Sequence, residues 1–280
     1  MNTEPNLKLL KSLSIMFILI YSSYIVLSAI SVLIFGDASI AYFLPLLQLL
    51  CFMLFPLLFT LKNEWNIKHT FKFNGSVRLV FFLAAIASMV GFFIMSAGYY
   101  SIFENLLEGD MLIFFEDTIN SQVMVLNEIL FHNDLLVVFM ASITIVLIAP
   151  IAEEFLFRGF MLSPLEEAIK SKQAIVVTAA LFALIHTNIA AFPLLFTLGI
   201  ILGYFAVYTQ NLIVPIFIHI VNNLFAYLNM QLFYDPVSNT NNTYSMTLPG
   251  AVLFFIFGAV IIIYSIYYIT DITKSLQVEE

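Results

Sequence analysis

The chain has 280 residues, of which 62% are hydrophobic and only 10% are charged, with a formal net charge of −8. Soluble domains carry about a quarter charged residues, so this composition excludes a water-soluble globular protein. The single cysteine, Cys51, cannot form a disulfide framework or a thiolate metal site within one chain. The lysines and arginines form no basic stripe, which excludes nucleic-acid binding.

The predicted elements are apolar helices that cross the lipid bilayer, a step that takes about 20 consecutive apolar residues. The first run follows Lys8 and Lys11 as a signal peptide would, but it is longer and lacks a cleavage site. It is therefore interpreted as a retained first span. Six runs have the required length, and they occupy residues 13–35, 40–61, 77–100, 135–158, 211–230 and 249–270.

A longer apolar stretch, residues 173–210, is too long for one span. Polar or helix-breaking residues interrupt it at Thr187, Asn188 and Pro193. We therefore expect two shorter helices joined by a tight turn. The predicted fold class is all-α, a polytopic transmembrane bundle of about eight helices.

The distribution of positive charge predicts the orientation, because Lys and Arg accumulate in cytoplasmic loops. With the N-terminus inside and eight spans, all ten Lys and Arg residues fall on the cytoplasmic side. No Lys or Arg occurs in the segments that this topology leaves outside, which are 36–39, 101–134, 188–191 and 231–248. Both termini are predicted to be cytoplasmic.

Two regions follow from this topology. We expect residues 1–134 to form three spans and an acidic outer segment, and residues 135–280 to form spans four to eight, the functional core. Segment 101–134 carries its acidic residues among Phe, Leu and Ile. An amphipathic helix on the membrane surface and a solvated acidic loop both fit this pattern.

Ionisable side chains within spans cost about 2.5 to 3.5 kcal/mol each and therefore point to function. The first cluster is Glu153, Glu154 and Arg158, at the predicted cytoplasmic end of span four. Glu154 and Arg158 are four residues apart and can pair on a helix, whereas Glu153 points about 100° aside and stays free. The alternative is a helix end that extends its charges into the lipid headgroups.

Two further clusters lie on spans five and seven. Phe182 and His186 are one helical turn apart, and His219 and Asn223 share a helix face. Each cluster alone is equally well explained by a hydrogen bond between helices. Counted from the inner ends of their spans, however, Glu153, His219 and His186 lie about 8, 12 and 18 Å deep. This shared layer favours one common site.

A free carboxylate, two histidines and an amide can support hydrolysis without a nucleophilic side chain. A carboxylate in an apolar setting is a competent general base near neutral pH, and a histidine with an amide can donate to an oxyanion. A zinc hydrolase is the close variant, with Glu153, His186 and His219 as metal ligands. No His-Glu-x-x-His signature occurs, so the spacing does not imply a metal.

These residues resemble the motifs of the CPBP (CAAX protease and bacteriocin-processing) or Abi family of intramembrane proteases, which includes the type II CAAX prenyl endopeptidases. The motifs Glu-Glu-x-x-x-Arg, Phe-x-x-x-His and His-x-x-x-Asn occur in order at Glu153–Arg158, Phe182–His186 and His219–Asn223. The resemblance covers about residues 150–225. It implies a helical bundle with a cavity open to the cytoplasm, which cleaves peptide bonds near the membrane surface.

The resemblance also implies a role for each motif residue. Glu153 with His186 would activate water, and His219 with Asn223 would form the oxyanion hole. Supporting roles fall to Glu154, Arg158 and Phe182. Zn²⁺-dependent and metal-free glutamate mechanisms both stay open. We expect an unprenylated, membrane-associated peptide or protein as the substrate, and the bacterial plasma membrane as the location.

Two other classes remain. A proton-coupled transporter would use the same acids and histidines as a relay, but it predicts an inverted repeat with interrupted helices in both halves. The polar span residues are confined to the second half. A non-catalytic bacteriocin-immunity or scaffold protein, which binds a partner through the acidic segment 101–134, is the second alternative.

Overall fold

The computed structural model describes residues 7–36, 40–235, 240–241 and 246–279. In this part of the chain the protein is a bundle of nine helices. They are α1 Leu7–Phe35, α2 Ala41–Lys62, α3 Leu79–Leu106, α4 Gly109–Leu130, α5 Leu135–Ala168, α6 Ser171–Ile185, α7 Phe192–Thr209, α8 Ile213–Phe233 and α9 Leu248–Glu279. A single turn, Ile67–Thr70, lies between α2 and α3. Two short antiparallel strands, β1 Tyr234–Asp235 and β2 Thr240–Asn241, follow α8.

Seven of the described helices are long and apolar enough to cross a membrane, namely α1, α2, α3, α5, α7, α8 and α9. The remaining apolar helix, α6, has 15 residues and is about 22 Å long, shorter than a hydrocarbon core of about 30 Å. Helices α6 and α7 are the two shorter helices predicted within residues 173–210. The all-α polytopic bundle is confirmed, while the side of the membrane on which each terminus lies stays a prediction.

The acidic segment is helical. Helix α3 continues to Leu106, and α4 covers Gly109–Leu130, so the alternative of an unstructured acidic loop is wrong for this stretch. Its placement on a membrane surface stays a prediction.

Turns of π-helix interrupt two of the described helices. They occupy Leu49–Leu54 in α2, and Thr144–Ile148 and Phe155–Met161 in α5. Each is followed within three residues by a proline, at Pro56, Pro150 and Pro164. A proline has no N–H and its ring clashes with the preceding turn, so the helix before it adopts a wider hydrogen-bonding pattern. The two π turns in α5 flank the stretch that contains the paired glutamates.

Glycines let two pairs of helices approach closely. A Cβ on Gly91 of α3 would lie 2.8 Å from the carbonyl oxygen of Gly258 on α9, and a Cβ on Gly199 of α7 would lie 2.8 Å from Cα of Ala179 on α6. Small residues at such crossings are typical of helix packing in membranes. The α6–α7 hairpin is therefore a tightly packed unit.

The segment between α2 and α3 closes one end of α5. Phe71 is fully buried and stacks on Phe155 with 4.0 Å between ring centroids. Lys72 is 2% exposed and forms an ion pair with Glu166. The carbonyl oxygen of Lys72 also accepts the N–H of Leu212 at 3.0 Å. These contacts fasten the segment to α5 and to the turn before α8.

Candidate active site

Glu154 and Arg158 form a fully buried ion pair in α5, with Arg158 Nη1 2.8 Å from Glu154 Oε1 and both side chains 0% exposed. The pairing predicted from their spacing is confirmed. Arg158 Nη2 also donates to the carbonyl oxygen of Gly199 on α7, at 3.2 Å. Helix α5 continues past Arg158 to Ala168. The alternative in which a helix end extends these charges into the headgroups is therefore wrong.

Aromatic rings surround the guanidinium of Arg158. Its Cζ lies 4.7 Å from the ring centroid of Phe182 and 5.7 Å from that of Phe157. A cation over an aromatic face in a desolvated site gains about 2 kcal/mol. Phe182 thus links the second motif to the first, which is consistent with the supporting role predicted for it.

His219 lies between the two glutamates. Its ring is buried, and Nδ1 is 2.8 Å from Glu154 Oε1, so Nδ1–H donates to the carboxylate. The opposite ring nitrogen, Nε2, lies 3.9 Å from Glu153 Oε2. Glu154 Oε1 therefore accepts hydrogen bonds from both Arg158 and His219, and the other ring nitrogen of His219 is directed toward Glu153.

Glu153 is the carboxylate left free, as the helical angle predicts. Its side chain is 13% exposed, and its Oε2 is shielded without a hydrogen-bond partner in the described part of the chain. Shielding a polar atom without a partner is costly, so such an atom in a native structure calls for an explanation, such as a catalytic role or an ordered water.

His186 directly follows α6 as its C-cap residue. Its Nδ1 lies 2.7 Å from the carbonyl oxygen of Phe182. A carbonyl oxygen only accepts, so Nδ1 carries the hydrogen and Nε2 of the neutral ring is the acceptor nitrogen. The Phe182 ring lies 4.7 Å from the His186 ring and 5.5 Å from the His219 ring. The helices that carry the three motifs thus converge around one phenyl ring.

Asn223 joins α8 to α5. Its Nδ2 donates to the carbonyl oxygen of Ile145 at 2.9 Å, and its Oδ1 accepts from Asn222 at 3.1 Å. A side-chain amide has two N–H groups, so the contact with Ile145 uses one of them. The helix-joining contact weighed as an alternative is therefore present, and a second donor is still available in the same group.

Glu153, His186 and His219 are the residues that the sequence predicts as metal ligands. Among the residues that the structure describes, no three His, Cys, Asp or Glu side chains form a group that could hold a metal ion. Glu153, His186 and His219 therefore do not form the three-ligand site that Zn²⁺ requires. Zinc stays a prediction.

Two contacts of the site lie outside the motifs. The Gly199 carbonyl holds Arg158, and the Tyr21 hydroxyl of α1 donates to the carbonyl of Ile185, next to His186, at 2.7 Å. The spacing Gly199-x-x-x-Gly203 is the sequence signal that could have indicated a close helix contact. No sequence signal distinguishes Tyr21 among thirteen tyrosines.

Residues 135–225 match the family described as type II CAAX prenyl endopeptidase Rce1-like. This segment is therefore similar to the CAAX protease family, and the resemblance based on the three motifs is confirmed. Together with the seven apolar helices, the match makes the chain a multi-pass membrane protein.

A curated relative is the membrane-embedded CAAX protease MroQ of Staphylococcus aureus (strain USA300). It is 31% identical over 113 residues, which cover 37% of this chain and 46% of the relative. The match thus spans less than half of the relative's length. No solved structure matches the chain.

Proposed function

We propose that the protein is an intramembrane endopeptidase that hydrolyses peptide bonds of membrane-associated peptides or proteins. The observation that carries the proposal is the pair Glu153 and His219, in which an unpartnered carboxylate oxygen lies 3.9 Å from an imidazole nitrogen within the bundle. The family match of residues 135–225 and the protease named as the relative support the same class of reaction.

Glu153 is proposed as the general base. It takes a proton from a water molecule as the water oxygen bonds to the carbonyl carbon of the substrate, and it returns that proton to the leaving amine as the C–N bond breaks. Such proton transfer contributes about 10²- to 10⁴-fold to a rate. His186 assists through Nε2, the acceptor nitrogen of its ring, because its Nδ1 hydrogen is held by the Phe182 carbonyl.

His219 and Asn223 are proposed as the oxyanion hole. A doubly protonated His219 donates from Nε2 to the developing oxyanion, while Glu154 holds its Nδ1–H. In that state the buried cluster contains two carboxylates, one guanidinium and one imidazolium, so its charges balance, as buried ions require. Asn223 contributes its second N–H, and each such donor accelerates the reaction about 10²- to 10³-fold.

The test is cleavage of a library of membrane-associated peptides by the purified protein in lipid nanodiscs. We expect wild type to cleave, and Glu153→Gln and His219→Ala to lose cleavage. Glu128→Gln, which changes an exposed acid on α4, is the matched control and should retain activity. Cleavage that survives both site substitutions would end the protease assignment. A wild type that cleaves no peptide would favour the immunity or scaffold alternative.

The same assay decides the metal question. In the metal-free mechanism, cleavage continues in a strong chelator at the wild-type rate. Loss of cleavage that is restored by added Zn²⁺ would establish a zinc mechanism and a rearrangement of Glu153, His186 and His219 on metal binding.

The substrate class is tested with matched peptides. Each sequence is supplied with and without a prenylated cysteine near its C-terminus. We propose that unprenylated peptides are cleaved, as expected for a protease of the bacterial plasma membrane. Cleavage restricted to the prenylated form would contradict this part of the proposal.

A further inference from the structure

The turn between α6 and α7 carries His186 at its start and reverses the chain by residue 191. Within it Thr187 has a left-handed backbone, with φ of 52°, and the Asn188 side chain accepts the N–H of Ala191 at 2.9 Å. The last carbonyls of a helix have no partner within that helix. Within the turn the N–H groups of His186 and Thr187 bond to the carbonyls of Ala183 and Leu184, whereas the Ile185 carbonyl accepts its hydrogen bond from another helix.

Three N-terminal helices hold this turn. Tyr21 of α1 donates its hydroxyl to the Ile185 carbonyl at 2.7 Å, and Tyr99 of α3 donates to the Ala190 carbonyl at 2.7 Å. The Asn188 amide donates to the carbonyl of Thr118 in α4, at 3.2 Å. All three helices lie outside residues 135–225, which the protease family matches.

The bond made by Tyr21 acts closest to the site. The Ile185 carbonyl and the His186 N–H belong to one planar peptide group, so a bond that fixes the carbonyl also fixes the plane from which His186 extends. Tyr21 is itself stacked on Phe17, with ring centroids 6.2 Å apart, and Phe17 packs edge-on against Phe157 of α5 at 5.9 Å. A continuous set of contacts thus joins α5 to the backbone of His186 through α1.

We infer that Tyr21 is a positioning residue for His186, supplied by a helix outside the protease-family segment. Its hydroxyl sets the direction of the His186 ring relative to Glu153 and His219. The inference rests on the proposed role of His186 in hydrolysis. It makes α1 part of the working enzyme, in addition to its role as a membrane span.

The first test does not depend on activity. The chain has four histidines, so selective ¹³C labelling of the imidazoles gives a four-signal spectrum, in which His186→Ala identifies the signal of His186. We expect Tyr21→Phe to shift the His186 signal and to leave that of His219 in place. Tyr204→Phe, on the same hairpin, is the matched control and should leave all four signals unchanged.

Two NMR outcomes would overturn the inference. An unchanged His186 signal in Tyr21→Phe would show that the hydroxyl does not set the ring position. A change in all four signals would show a general structural role for Tyr21.

The second test is kinetic. We expect Tyr21→Phe to lower kcat about three- to tenfold, the effect of one lost hydrogen bond, with KM unchanged. In a His186→Ala background the same substitution should cause no further loss, because residues that act through one another are not additive. An equal loss in both backgrounds would contradict the inference. If the wild type cleaves no peptide, the proposed function fails, and the NMR result still decides the role of Tyr21.

Discussion

Asn223 donates a side-chain N–H to the carbonyl oxygen of Ile145, which Pro150 leaves without a helical donor. In the π turn Thr144–Ile148, the N–H of Ala149 bonds to the carbonyl of Thr144. The residue that would donate to Ile145 in the same pattern is five positions further on, and it is Pro150, which has no N–H. The Asn223 side chain of the third motif therefore supplies the hydrogen bond that the Ile145 carbonyl lacks within its helix. The contact fixes α8 against α5, beside the paired glutamates.

This relationship predicts a dependence between Asn223 and Pro150. Asn223→Ala should lower the free energy of unfolding by about 1 to 3 kcal/mol, because a shielded carbonyl loses its donor. In a Pro150→Ala background the loss should be smaller, since residue 150 can then donate its own N–H. Thermal unfolding of wild type, the two single variants and the double variant measures the coupling. Asn222→Ala, which leaves the Ile145 contact in place, is the control, and equal losses in both backgrounds would contradict the explanation.

The same substitution should affect stability strongly at one of the adjacent glutamates and weakly at the other. Glu154→Gln leaves Arg158 buried without its ionic partner and should destabilise the protein by about 3 to 5 kcal/mol. Glu153→Gln removes no hydrogen bond made by Oε2 and should lower the melting temperature much less than Glu154→Gln while abolishing cleavage. Thermal unfolding and peptide cleavage on the same preparations check both expectations. A large destabilisation by Glu153→Gln would mean that Glu153 is a structural partner.

Arg158→Lys should behave as a non-conservative change. A lysine keeps the charge but lacks the planar fork that reaches Glu154 and the Gly199 carbonyl together, and it loses the contact of the guanidinium with the Phe182 ring. We expect a loss of about 1 to 3 kcal/mol of stability, measured by thermal unfolding. Lys170→Arg, outside the buried cluster, is the matched control. Wild-type stability in Arg158→Lys would show that charge alone suffices.

Gly199→Ala should separate α6 from α7. An added Cβ would lie 2.8 Å from Cα of Ala179, and such overpacking costs about 1 to 3 kcal/mol. Because Gly199 also holds Arg158, cleavage should fall together with stability. Gly250→Ala, whose added Cβ would lie 3.3 Å from the side-chain oxygen of Thr247, should cost less stability than Gly199→Ala and leave cleavage unchanged. A stable and active Gly199→Ala would contradict the packing described for the hairpin.

The predicted orientation can be tested with cysteines labelled from one side of the membrane. In a Cys51→Ser background, Lys68→Cys and Glu108→Cys place single thiols at exposed positions of the α2–α3 segment and of the acidic segment. A membrane-impermeant maleimide applied to intact cells should label position 108 and spare position 68. The reverse result would invert the topology.

Much of the architecture follows from the sequence, because apolar runs of spanning length have few alternative structures in a bilayer. The hairpin of α6 and α7 was predicted from interruptions at single positions. The pairing of Glu154 with Arg158 was predictable even though a π turn begins between them. Four residues are close to one full turn in either type of helix, so both side chains remain on one face.

Other contacts of the site could not be predicted, because they depend on how helices cross. The bond from Arg158 to Gly199 joins α5 to a backbone carbonyl of α7. Because every residue has a backbone carbonyl, the sequence does not indicate which one accepts this bond. Likewise, Tyr21 reaches the carbonyl of Ile185, next to His186, from 164 positions away in the chain. To predict that His219 contacts both glutamates, one must know how α8 is rotated about its own axis. The spacing of residues within a single helix does not determine that rotation.

The π turns have a consequence for comparing this chain with its relatives. A π turn contains about one residue more than an α turn, so each acts as a single-residue insertion that rotates the rest of the helix by about 100°. In α5 the stretch Ala149–Glu154 lies between two such insertions. A relative that aligns with a one-residue gap at Thr144–Ile148 is expected to have a regular helix there. Its equivalent of Asn223 would then lack the carbonyl that Asn223 binds here, so alignment gaps within this span report on the geometry of the site.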